Sequence, residues 1–74
     1  MHVYDIFTAE VSQGAKLLWL YLRYEPGVHS QQDLATEIGA TMQSVNKYVR
    51  ELREDGWITV EKSKDSRRFV YDIV

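Results

Sequence analysis

The 74-residue chain has the length of one domain, with 45% hydrophobic residues to build a core, 27% charged residues and no cysteine. That composition excludes a disordered tail, a collagen-like chain, a disulfide framework, a thiolate nucleophile and a cysteine zinc site. The formal net charge of −2 does not mark a nucleic-acid-binding chain as a total, so its distribution along the sequence matters more. No apolar run approaches the ~20 residues of a membrane span, and the N-terminus MHVYDIFTAE lacks a basic flank and a long apolar stretch. A small soluble intracellular domain with no membrane partner is expected. His2 and His29 lie far apart with no carboxylate pattern around them, so no metal and no cofactor are expected. No paired nucleophile and base, phosphate-cradling glycine loop or ligand cluster points to an enzyme.

Residues 1–11 read as an N-terminal arm and 12–74 as the domain. Within the arm, Val3 to Phe7 reads either as a strand or as a packed segment. A first helix is predicted from Ser12 to about Tyr24, with the Ser12 hydroxyl as its cap. Leu17, Leu18, Trp19, Leu20, Tyr21 and Leu22 make it apolar nearly all round, as befits a central pillar. Pro26-Gly27 ends it. After a short extended piece at Val28-His29, a second helix starts at the Ser30 cap, carries Leu34, Ala35 and Ile38 on one stripe, and stops at Gly39. Thr41 caps a third helix running to about Asp55, in which Val45, Tyr48, Val49 and Leu52 repeat at helical spacing and define a buried face. Gly56 suits the position just past its end. From there the period changes to two. Trp57–Glu61 and Phe69–Val74 read as strands of a β-hairpin whose tip, Lys62–Arg68, is polar and charged throughout.

Charge follows the same division. Met1–Thr41 holds two cations against five acids, whereas Met42–Val74 holds seven cations against six acids, four of those cations lying between Glu61 and Arg68. The spacing in the middle of the chain is also specific. Two helices crossing steeply through a short turn need a small residue at closest approach, a residue tolerant of positive φ at the corner, and an apolar plug from the second helix. Ala35, Gly39 and Val45 fill those three roles.

From Ser12 to Val74 the sequence resembles the winged helix-turn-helix family of DNA-binding domains. The resemblance lies in Asp33-Leu-Ala-Thr-Glu-Ile-Gly39 followed by Ser44-Val-Asn-Lys-Tyr-Val-Arg-Glu-Leu-Arg-Glu-Asp-Gly-Trp-Ile58. Val11–Leu22 is similar to the first helix of winged domains in phage and plasmid replication initiators. Asp65-Ser-Arg-Arg68 is similar to the wing of MarR-type repressors. The implied fold is α+β, a winged helix-turn-helix with a three-helix core followed by a two-stranded β-hairpin wing. The implied partner is double-stranded DNA, with the third helix (about 41–55) in the major groove and the wing (62–68) on the adjacent backbone or minor groove.

With Val45, Tyr48, Val49 and Leu52 facing inward, the resemblance assigns base reading to Met42, Gln43, Asn46 and Lys47. Amides suit adenine, Lys47 suits guanine and Met42 suits a thymine methyl. Phosphate binding falls to Ser30, Gln31, Thr41, Ser44, Arg50, Arg53, Lys62, Lys64, Arg67 and Arg68. Asp65 is read as fixing the wing turn with Arg67. Glu51, Glu54 and Asp55 run against this scheme, because acids at the end of the third helix oppose both the helix dipole and a phosphate strand. Trp19, Trp57, Phe69 and Tyr71 are assigned to core packing rather than to base stacking. The implied activity is transcriptional regulation or replication and plasmid maintenance, in a cytoplasmic protein of a bacterial, archaeal or phage-encoded system. The competing reading is a winged protein–protein interaction domain without DNA binding. One small recognition helix rarely suffices for tight binding, so the chain is expected either to act as a homodimer or to form part of a longer chain.

Overall fold

A computed structural model describes residues 4–64 and 67–74. The expectations placed on His2, on Val3 and on the Asp65 turn therefore lie outside the described residues. The elements run α1 (Asp5–Thr8), α2 (Gln13–Tyr24), β1 (Gly27–Ser30), α3 (Gln31–Ile38), α4 (Met42–Glu54), β2 (Ile58–Lys62) and β3 (Arg68–Ile73). The three helices expected from the sequence are α2, α3 and α4. Of the two readings of the segment before them, the strand is not formed: Asp5–Thr8 is a single helical turn packed on the core. It is held by Phe7 N–H donating to the Tyr4 carbonyl and Thr8 Oγ1 donating to the Asp5 carbonyl, and it drives Ile6 completely into the core.

Each long helix begins where a hydroxyl satisfies an otherwise orphaned amide. Ser12 Oγ accepts from Ala15 N at 3.3 Å, Ser30 Oγ from Asp33 N at 3.0 Å, and Thr41 Oγ1 from Ser44 N at 3.1 Å. The corners close with glycines in the left-handed region, Gly39 at φ 68° and Gly56 at φ 77°. At both, the next residue reaches back into the helix. Ala40 N donates to the Ala35 carbonyl at 2.8 Å, and Trp57 N to the Leu52 carbonyl at 2.8 Å, a Schellman closure in each case.

The extended piece at Val28-His29 is longer than the sequence indicates. It forms the four-residue strand β1, and the sheet has the order β1-β3-β2 with both pairings antiparallel. Ser30 is thus at once the end of β1, paired with Arg68, and the cap of α3. The fold is the expected α+β winged helix-turn-helix, with a third strand tying the wing to the entry of α3. Among the described residues no helix is long and apolar enough to cross a membrane.

The core lies between α2, α3, α4 and the sheet. Leu18, Trp19, Leu22, Leu34, Val45 and Leu52 are fully buried, joined by Ala35, Val49, Trp57, Ile58 and Tyr71. Trp19 and Trp57 meet edge to face with centroids 5.6 Å apart, and the Arg23 guanidinium sits 5.7 Å from the Trp19 ring on the outer side. Burial of Tyr71 raises its phenol pKa above 10.0. Tyr48, expected inside, is only half-buried. It packs across Gly14 of α2 so closely that a Cβ there would stand well inside 3.0 Å of the tyrosine ring. Gly14 therefore sets how near α4 approaches α2.

Candidate nucleic-acid interface

Side chains on a helix advance by roughly 100° per residue, so a buried stripe fixes the opposite face as well. On α4 the stripe is Val45, Val49 and Leu52. Met42, Gln43, Asn46, Lys47, Arg50 and Arg53 are all exposed, with Met42 retaining 48% of its surface. All four residues assigned to base reading stand on this face, together with two of the arginines assigned to phosphate. Its chemistry is a row of amides and cations with one thioether.

Two clefts border that face and gather half of the remaining assigned residues, Ser30, Gln31, Arg67 and Arg68. The larger, about 670 Å³, is lined by Ser30, Gln31, Gln32, Asp33, Met42, Arg67, Arg68 and Phe69. It brings the start of α3, the start of α4 and the base of the wing around one concavity. The second, about 320 Å³, runs between α4 and the sheet and is lined by Gln31, Asn46, Val49, Arg50, Arg53, Val60, Phe69 and Tyr71. Gln31 belongs to both. Lys62 and Lys64 are exposed on the wing and line neither cleft. Thr41 and Ser44 are engaged with each other. Thr41 Oγ1 accepts the Ser44 amide and donates to Ser44 Oγ at 3.0 Å, an arrangement in which Ser44 keeps its own O–H to donate.

Most of the acids that ran against the scheme have structural employment. Glu51 is turned to the opposite side, where its carboxylate accepts both the backbone N–H of Ser12 at 3.0 Å and the Ser12 hydroxyl at 2.7 Å. Asp55 Oδ2 accepts from Trp57 Nε1 at 2.8 Å. Glu54 is exposed and lines two shallow depressions at the end of α4, one with Glu10, Val11, Glu51 and Asp55 and the other with Arg50 and Arg53. The aromatic residues are in the core, as expected. Trp19, Trp57 and Tyr71 are buried and Phe69 is partly so. Lys16, one of the few cations of the first half, donates to the Phe7 carbonyl at 2.9 Å and braces α1 against α2.

Three connections escaped the sequence reading. Gln31 Nε2 donates to Asn46 Oδ1, joining α3 to α4 at the exposed surface. Glu51 joins α4 to the start of α2, and Gly14 admits Tyr48. A glycine in the first turn of an otherwise apolar helix is a signal for close approach, since glycine there is a poor helix former. The two side-chain hydrogen bonds link residues with no periodic or motif relation and left no such signal.

Sequence and structure comparisons agree with this fold. The family model for the Crp-like helix-turn-helix domain matches residues 15–71. No curated protein matches the sequence. A solved structure described as "Crystal Structure of MarR" is similar over 95% of this chain and 51% of its own, with TM-score 0.79 and 22% identity. The PcaV transcriptional regulator from Streptomyces coelicolor, solved with its natural ligand, is similar over 97% of this chain and 52% of its own, with TM-score 0.76 and 18% identity. This chain spans about half the length of those two proteins.

Proposed function

The chain belongs to the Crp-like helix-turn-helix domain family, and from that premise we propose that it is a sequence-specific double-stranded DNA-binding module of a transcriptional regulator. A helix-turn-helix domain is a binding module rather than an enzyme. α4 enters the major groove, which accepts one helix, with Gln43, Asn46 and Lys47 at base edges and Met42 at a thymine methyl. Ser30, Gln31, Thr41, Ser44, Arg50 and Arg53 hold phosphates along the strand, and Lys62, Lys64, Arg67 and Arg68 meet the neighbouring backbone or minor groove. The observation that carries the reading is the sorting of charge on α4. Lys47, Arg50 and Arg53 lie on the open face beside the amides. Of the two acids of α4, Glu51 is turned away into a bond with Ser12, and Glu54, at the last position of the helix, stands beside Arg50 and Arg53.

A single copy offers one short reading helix, so tight binding requires two half-sites about 34 Å apart, read by two copies or by a longer chain. Selection of duplexes from a random pool, with affinity measured at two salt concentrations, tests the reading. One enriched site is expected, bound with an affinity that falls steeply as salt rises, because each neutralised phosphate releases counterions. Binding that is absent near 50 mM salt, or equal for random and selected duplexes, would overturn it.

A further inference from the structure

Asn46 lies in the middle of the open face of α4, and its amide has two chemically opposite ends. The oxygen accepts and the amino group donates. In this structure the oxygen is taken, because Gln31 Nε2 donates to Asn46 Oδ1 across the junction of α3 and α4. The two ends of an amide diverge from one carbon, so turning Oδ1 toward α3 leaves Nδ2 on the outer side. Gln31 is well placed to hold that orientation. It is the first residue of α3, anchored behind the Ser30 cap, half-buried, and lines the same cleft as Asn46, Arg50 and Arg53.

We propose that Gln31 is a positioning residue that fixes the polarity of Asn46, so that Asn46 presents a hydrogen-bond donor to the duplex and selects against cytosine. The proposal rests on the DNA-binding reading above. An unrestrained asparagine pairs bidentately with adenine, accepting from N6 and donating to N7. With Oδ1 held by Gln31, that pairing requires the oxygen to leave its partner or to share its second lone pair. A single donor needs neither. Donor-only reading fits guanine through O6 or N7 and thymine through O4, tolerates adenine through N7, and fails at cytosine, whose major-groove edge offers only the N4 amino group. Gln31, which reaches no base itself, thereby sets a base preference.

The test is a polarity reversal. In Gln31→Glu the new carboxylate can only accept, so Asn46 must donate Nδ2 to it and turn Oδ1 outward. In Asn46→Asp the Gln31 donor is satisfied by one carboxylate oxygen and the other faces outward. Both variants then present an acceptor from the same place, by substitutions on different helices. The 74-residue chain and the variants Gln31→Glu, Asn46→Asp, Gln31→Ala and Asn46→Ala would each be used to select duplexes from a random pool. Circular dichroism would verify the fold of these surface variants.

Asn46→Ala identifies the base position by flattening the preference there. At that position the unaltered chain is expected to favour guanine or thymine over cytosine by about five- to tenfold, the scale of one net hydrogen bond. Gln31→Glu and Asn46→Asp are both expected to reverse the order in favour of cytosine or adenine, whatever the added charge does to overall affinity. Gln31→Ala is expected to admit adenine as the best base. Unchanged preference in Gln31→Glu and Gln31→Ala, or a uniform loss of affinity on all sequences, would overturn the positioning role while leaving DNA binding intact. No enriched sequence for the unaltered chain would remove the DNA reading and this proposal with it.

Discussion

Glu51 has two opposed roles open to it, and a single substitution separates them. As a charge near a phosphate strand, its removal would leave stability alone and strengthen DNA binding. In the structure its carboxylate instead accepts the Ser12 backbone N–H at 3.0 Å and the Ser12 hydroxyl at 2.7 Å, both partly buried, while that hydroxyl accepts from Ala15 N at 3.3 Å. Hydrogen bonds to a charged group are worth ~1.5–3 kcal/mol when sheltered. Partial exposure brings these two down to about 1 kcal/mol each, so Glu51→Ala should cost about 2 kcal/mol. Ser12→Ala loses the cap, about 1 kcal/mol, and the hydroxyl–carboxylate bond, about 1 kcal/mol more, but keeps the backbone bond. The double variant should cost about 3 kcal/mol rather than 4, since the hydroxyl–carboxylate bond is shared, which leaves a coupling of about 1 kcal/mol. Urea unfolding of the four proteins measures the cycle, and thermal melting should show Glu51→Ala lowered by roughly 8–16 °C in a domain this small. A neutral Glu51→Ala, or strictly additive single changes, would refute the assigned role.

Three further outcomes follow from the geometry. Gly14→Ala should destabilise the chain because the new methyl meets the Tyr48 ring; in a Tyr48→Ala background the same change should stabilise by up to about 1 kcal/mol, the helix preference of alanine over glycine, and denaturant unfolding of both pairs reads the sign. The raised pKa of buried Tyr71 means that the native state holds its proton more tightly than the unfolded chain. That contribution to stability is present in full below the unfolded value near 10 and is lost as pH climbs from there through the native value, so Tyr71→Phe should show a shallower alkaline loss in unfolding titrations. Arg50→Ala and Arg53→Ala should each reduce the salt dependence of DNA binding by about 0.9 in log–log slope without altering the selected sequence. Changed base preference in either would move that arginine from phosphate to base.

Much of this architecture was legible before any coordinates. Serine and threonine caps, corner glycines and the Val45, Val49, Leu52 stripe are local signals, because each states a backbone or burial requirement within one turn of chain. They located α2, α3, α4 and the hairpin, and through the stripe they located the open face of α4. What stayed hidden was non-local. The helical turn carrying Ile6 is too short for a period to show, and β1 gains its length only by pairing with β3, which lies about 40 residues later. Tyr48 had the spacing of a core residue, yet its ring ends over Gly14, where helix approach rather than periodicity decides burial. The bonds Gln31–Asn46 and Ser12–Glu51 depend on how two helices are oriented in space. Spacing along a single chain carries no trace of that.

Ser30 closes a strand and opens a helix in one residue, and its strand partner is Arg68, the first residue of the last strand. The base of the hairpin and α3 are thereby joined like the arms of a caliper, and α3 packs through Leu34 and Ala35 into the same core as α4, the helix proposed to enter the groove. A caliper of set span cannot follow the variation of groove width from one sequence to the next. In the proposed mode the duplex does the adjusting, and sequences that reach the required width at low deformation cost are favoured even at base pairs that no side chain reaches.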